Sequence, residues 1–196
     1  IYLIPTKDSE LVKKFALLVT SLVALAAIFL AVGFDKSITS LQYAQSYSWI
    51  PTFNINFALG IDGISLVLIL LSTILVPIVI LATWNESEGG RWSVKTFYVL
   101  ILILETMMVG VFAASDLFLF YVFFEAMLFP IYFLIGRFGG PQRAYAAMKF
   151  LLYSLVGGLF MLAALIGLYV VSSRELGQGT FDFQTLTTLN IDPATQ

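Results

Sequence analysis

Cysteine and histidine are both absent from this 196-residue sequence, and charged residues make up only 11% of it. Without cysteine there is no thiol chemistry and no disulfide. Without either residue there are no ligands for zinc, iron–sulfur clusters or haem in their usual forms. Imidazole is also missing as a proton carrier, so any proton path must use carboxylates, lysines, hydroxyls and water. A soluble domain carries about a quarter charged residues. With 60% hydrophobic residues and a mean hydropathy of +0.96, the chain reads as an integral membrane protein. Its net charge of −2 and lack of any basic, aromatic-interleaved patch give no sign of nucleic-acid binding.

What is present in abundance is apolar sequence in long runs. About 20 such residues cross a bilayer core. Five runs qualify, at about 15–34, 63–83, 96–114, 117–136 and 144–171, leaving 172–196 as a polar tail outside the membrane. The expectation is an all-α, polytopic transmembrane bundle. Ile1 to Pro5 reads as the end of an apolar segment, and Thr188 to Gln196 ends without a final element, so the expectation is a piece of a longer protein. Tyr43, Tyr47 and Trp49, between the first two runs, suit a membrane–water interface.

Of the ten basic residues, Lys7, Lys13, Lys14, Arg91, Lys95, Arg137, Arg143 and Lys149 fall on or nearest the N-terminal side. Only Lys36 and Arg174 fall on the other. Basic residues favour the cytoplasmic face. The N-terminal side is therefore expected in the cytoplasm or its organellar equivalent.

Within this apolar background a few residues stand out. Glu125 lies among Phe123, Phe124, Met127, Leu128 and Phe129. An acid at mid-bilayer costs a few kcal/mol or more, so membrane chains seldom carry one without a use. Pro130 follows five residues later and denies the carbonyl of Ala126 its helical donor. Glu105 precedes the turn residue Asp116 in the sequence, and Glu125 follows it. At helical rise the two acids lie roughly 16 and 14 Å below that turn. The short link Ala114–Ser115–Asp116 makes the two helices antiparallel neighbours. If the acids face each other they cannot both be charged cheaply, which would suit a proton-loading site. The alternative is a permanently protonated acid that only hydrogen-bonds.

Lys149 has two open readings: a cation paired with an acid, directly or through water, or a side chain that snorkels to the cytoplasmic face. Asp62 and Asp116 read as helix caps. Pro77 and Pro130 are compatible with kinks in packed helices. Gly157–Gly158 would let another helix approach closely.

Three stretches together carry a resemblance. They are Asp62–Leu66 (DGISL), Ser115–Glu125 (SDLFLFYVFFE) and Pro130–Gly136 (PIYFLIG), with Ala147–Tyr153 in support. The chain resembles the antiporter-like membrane subunits of proton-pumping NADH:quinone oxidoreductase, respiratory complex I, most of all the chain M (mitochondrial subunit 4) branch. The resemblance implies a subunit of about fourteen helices, of which these would be the second to sixth. It implies that Glu125 is a proton-pathway glutamate whose lysine partner lies on a later, broken helix outside this sequence. Glu105 and Lys149 join Glu125 as candidate pathway residues. It implies no redox centre in this chain: NADH, FMN, iron–sulfur clusters and quinone would belong to partner subunits. The partners would be other membrane-arm subunits, and the location a bacterial plasma membrane or the mitochondrial inner membrane. A subunit of a multi-subunit cation/proton antiporter, of the same ancestry, is the competing reading.

Overall fold

A computed structural model describes residues 9–85 and 93–189. Lys7 and Arg91, counted above, lie outside the described residues. Five long helices form the bundle: α1 (Ser9–Val32), α2 (Gly63–Ala82), α3 (Val94–Ala113), α4 (Leu117–Phe138) and α5 (Arg143–Leu176). All five are long and apolar enough to cross a membrane. Lipid offers the backbone no partner, so each apolar run must satisfy its own N–H and C=O groups, which a helix does. The same constraint governs small polar side chains. Thr20, Ser72, Thr73 and Thr106 each donate to the carbonyl four residues back on their own helix.

The chain is a polytopic transmembrane bundle, and the structure adds detail to the expected spans. The first helix, described from Ser9, takes in Lys13 and Lys14. The fifth runs on to Leu176, into the stretch expected as a polar tail. At helical rise its 34 residues span about 51 Å, so it tilts or projects beyond a hydrocarbon core of about 30 Å. Gly177, at φ 75°, ends it in a left-handed turn that glycine adopts without strain.

The loop between α1 and α2 is not irregular. It forms an antiparallel hairpin of β1 (Gln42–Ile50) and β2 (Ile55–Ile61). The hairpin turns through a short 3-10 segment, Pro51–Phe53, and a left-handed Asn54. Tyr43, also at positive φ, sits in the register shift between Gln42 and Gln45. The hairpin lies outside the spans, so the membrane part stays helical.

The α3–α4 turn is held in this same outer layer. Ser115 N–H donates to Ala58 of β2, and Leu117 N–H to Phe181 in the segment after α5. Phe183 N–H donates back to Ser115 and opens a short helix, α6 (Phe183–Thr187). Below that layer, Val12 and Ala16 of α1, Val76 and Ile80 of α2, and Tyr98 and Ile101 of α3 form one apolar cluster. A second, Ile55, Leu165 and Phe181, ties the hairpin to the far end of α5.

Candidate functional site

The five helices place the two intramembrane acids at different interfaces. Helix α4 lies between α3 and α5. Gly110 of α3 lets the Phe123 ring close in, since a methyl there would lie 2.7 Å from a ring carbon. At the other end of the pair, Phe97 and Phe138 stack edge to face with centroids 4.9 Å apart. The face of α4 toward α3 is thus taken by phenylalanines. Glu125, two residues past Phe123, points about 200° further round the helix. It meets α5, where its carboxyl lies against Gly158, closer than any side chain at that position would allow.

Gly136 and Ala147 touch at the same α4–α5 interface, about three turns from the Glu125–Gly158 contact along both helices. The antiparallel register therefore holds over that whole length. Glu125 is half-buried overall, but its Oε1 is fully covered and has no hydrogen-bond partner among the described residues.

Glu105 is only 3% exposed, and its Oε1 is likewise covered and unpartnered. It continues the stripe of Tyr98 and Ile101, which packs on α1 and α2. The expected facing pair is therefore not formed: α4 turns its acid toward α5, and α3 turns its acid toward α1 and α2. The equal depth also fails. The α3–α4 contacts set Glu105 level with about Phe129, roughly 6 Å along α4 from Glu125.

Lys149 stands apart from both acids. Its side chain is exposed on α5, with the ammonium 5.7 Å from the Tyr145 ring centroid. It lies about 14 Å along α5 from Gly158, so it does not reach Glu125 within this chain. Among the described residues no acid pairs with it directly, and its two readings stay open.

Both expected caps are present. Asp62 accepts from Ser65 N–H at 2.7 Å, and Ser65 Oγ accepts from Asp62 N–H at 2.8 Å, a reciprocal capping box. Asp116 caps α4 through Phe118 and Leu119, at 2.9 and 3.1 Å, and also accepts from Asn56 N–H of β2 at 3.0 Å. Burial pushes its carboxyl above the usual aspartate range. The charge of Asp182 adds to that, and the three N–H donors oppose it. Pro77 and Pro130 both sit inside continuous helices.

Sequence reasoning missed Tyr98. It is fully buried, and its Oη completes, with the two glutamates, the set of unpartnered buried side-chain atoms among the described residues. The signal was the spacing of Tyr98 and Glu105, seven residues apart and so on one helix face. It also missed Lys13, which is 1% exposed and places its ammonium 5.6 Å from the Trp84 ring centroid.

Residues 11–111 match the family described as NADH-ubiquinone oxidoreductase chain 4, amino terminus. Residues 114–194 match the family described as NADH:quinone oxidoreductase/Mrp antiporter, transmembrane. The chain is 41% identical over 213 aligned residues to NADH-quinone oxidoreductase subunit M of Mycobacterium tuberculosis, covering 95% of this chain and 38% of that protein. A chain of respiratory complex I from Thermus thermophilus superposes with a TM-score of 0.79 at 28% identity, over 97% of this chain and 39% of that one. A chain of the Mrp complex from Dietzia sp. shares the fold, with a TM-score of 0.75 at 19% identity, over 97% of this chain and 20% of that one. The sequence thus spans well under half the length of these relatives.

Proposed function

The chain belongs to the NADH-ubiquinone oxidoreductase chain 4 family, and from that membership we propose that it is part of a proton-translocating membrane-arm subunit of an NADH:quinone oxidoreductase. One observation carries the reading beyond the family name. Glu125 is an acid within a transmembrane helix whose covered oxygen meets no donor and no cation among the described residues. A structural acid would be held by partners. A group that takes up and gives back a proton must not be locked into fixed partners, and among the described residues nothing locks this carboxyl.

In this proposal Glu125 is the principal proton-holding group of the chain. Glu105, with Tyr98 on the same face, is a second protonatable position toward α1 and α2. Lys149 supplies positive charge on the open face of α5. The energy comes from redox chemistry in partner subunits, which hold NADH, FMN, iron–sulfur clusters and quinone. The sequence has no cysteine or histidine to ligate an iron–sulfur cluster in the usual way. The N-terminal side faces the cytoplasm of a bacterial cell, or the matrix if the membrane is mitochondrial.

Removing the full-length subunit and restoring it from a plasmid tests the function. NADH-driven proton uptake into inverted membrane vesicles should vanish and return. Unchanged uptake without the subunit, together with loss of cation/proton exchange, would favour the antiporter reading that the second family match keeps open. Orientation is read separately. A cysteine placed at Gly140, which is exposed with no neighbour within 4 Å, should react with an impermeant maleimide from the cytoplasmic side only. Labelling from the opposite side would invert the topology.

A further inference from the structure

We propose that Gly158 is a positioning residue for Glu125: its bare Cα forms a seat on α5 that sets where the glutamate carboxyl rests. This deepens the proton-translocation reading and rests on it. Gly158 is buried, and a Cβ built on it would overlap the carboxyl, with Oε1 the nearest atom and the carboxyl carbon next. The neighbouring Gly157 has nothing within 4 Å of the same construction. The pair thus divides into one glycine that an acid requires and one that nothing among the described residues requires. If the glycines served only to let two helices approach, backbone or apolar side chains would stand over Gly158. A carboxyl stands there instead.

The seat has a chemical consequence. It offers Oε1 only carbon-bound hydrogens, which are weak donors. The strong partner needed for proton transfer must therefore come to the side of the carboxyl that faces away from α5. Gly158 thereby fixes both the depth of the acid and the direction in which it is open.

Four variants in the full-length subunit, within its assembled complex, test this by proton uptake in inverted vesicles. Gly157→Ala should match wild type. Gly158→Ala should lower uptake on the order of tenfold to a hundredfold, the cost of displacing a reacting group by about 1 Å. Glu125→Asp withdraws the carboxyl by one methylene and should retain part of the uptake. The double variant Gly158→Ala/Glu125→Asp should exceed Gly158→Ala alone, because the shorter acid clears the methyl. A merely structural glycine would not be rescued by shortening one particular acid.

Wild-type uptake by Gly158→Ala, or a double variant no better than Gly158→Ala, overturns the inference. If Gly158→Ala fails to assemble, restored assembly in the double variant supports the seat and continued failure overturns it. Glu125→Gln separates the two levels. Normal uptake by that variant removes Glu125 as the proton-holding group, whereas lost uptake with a wild-type Gly158→Ala removes only the seat.

Discussion

Glu125→Gln should leave the complex assembled and reduce proton uptake to near background, together with the redox turnover coupled to it. Glutamine keeps the length and shape of the side chain, so the contact with Gly158 is preserved. The covered Oε1 has no hydrogen bond to lose among the described residues. What the substitution removes is the exchangeable proton. Positioned proton transfer contributes typically 10²–10⁴-fold where a reaction depends on it, and a relay with one member unable to release its proton loses that step altogether. Glu125→Asp, which keeps the acid, should fall between the two. Glu105→Gln is the informative companion, because its acid lies at a separate interface and about a turn deeper along α4. Full uptake by assembled Glu125→Gln would make this glutamate structural.

The membrane spans were legible because hydropathy dominates them: in runs as apolar as 63–82, lipid leaves the backbone no alternative to helix. The caps were legible for a local reason, since Asp62 and Asp116 are short acids immediately before apolar runs. The hairpin was less so. Ile55–Ile61 alternates in the manner of a strand, but the aromatic residues of Gln42–Ile50 were explained by a membrane interface, which removed the need for a sheet.

The two glutamates show where one-dimensional reasoning stops. Counting residues from Asp116 estimates depth but not azimuth. Packing decides azimuth, through Phe123 filling the space that Gly110 leaves. Once that face of α4 is taken, Glu125 has to look toward α5. The Gly157–Gly158 pair was visible as a close-approach signal. That the approaching group is the Glu125 carboxyl follows only from the α4–α5 register.

Asp116→Ala should be the most damaging single change for stability. The carboxyl is 1% exposed and joins three separate pieces of structure: the first turn of α4 through Phe118 and Leu119, strand β2 through Asn56, and, by position, the segment carrying Asp182. Alanine leaves three N–H groups in that layer without their acceptor. A helix cap alone is worth about 1 kcal/mol. Each buried donor left unsatisfied costs about 1–3 kcal/mol, so a combined loss on the order of 3 kcal/mol is expected. Asp116→Asn keeps an acceptor oxygen for one side of the junction and should lose about 1 kcal/mol. The same pair carries a pH signature. The folded-state value of Asp116 is raised above the ordinary 3.8 by burial first and by Asp182 in addition. A raised value means the folded protein binds this proton more tightly than the unfolded chain does. The resulting stabilisation is complete below the ordinary aspartate value and is lost as pH rises through the folded one. Wild-type protein should therefore gain stability relative to Asp116→Asn as pH falls through that window, and the gap should be constant above it. Thermal unfolding of the purified full-length subunit in detergent, followed across pH, reads both effects. An Asp116→Ala protein within about 0.5 kcal/mol of wild type would remove Asp116 as the junction of this layer.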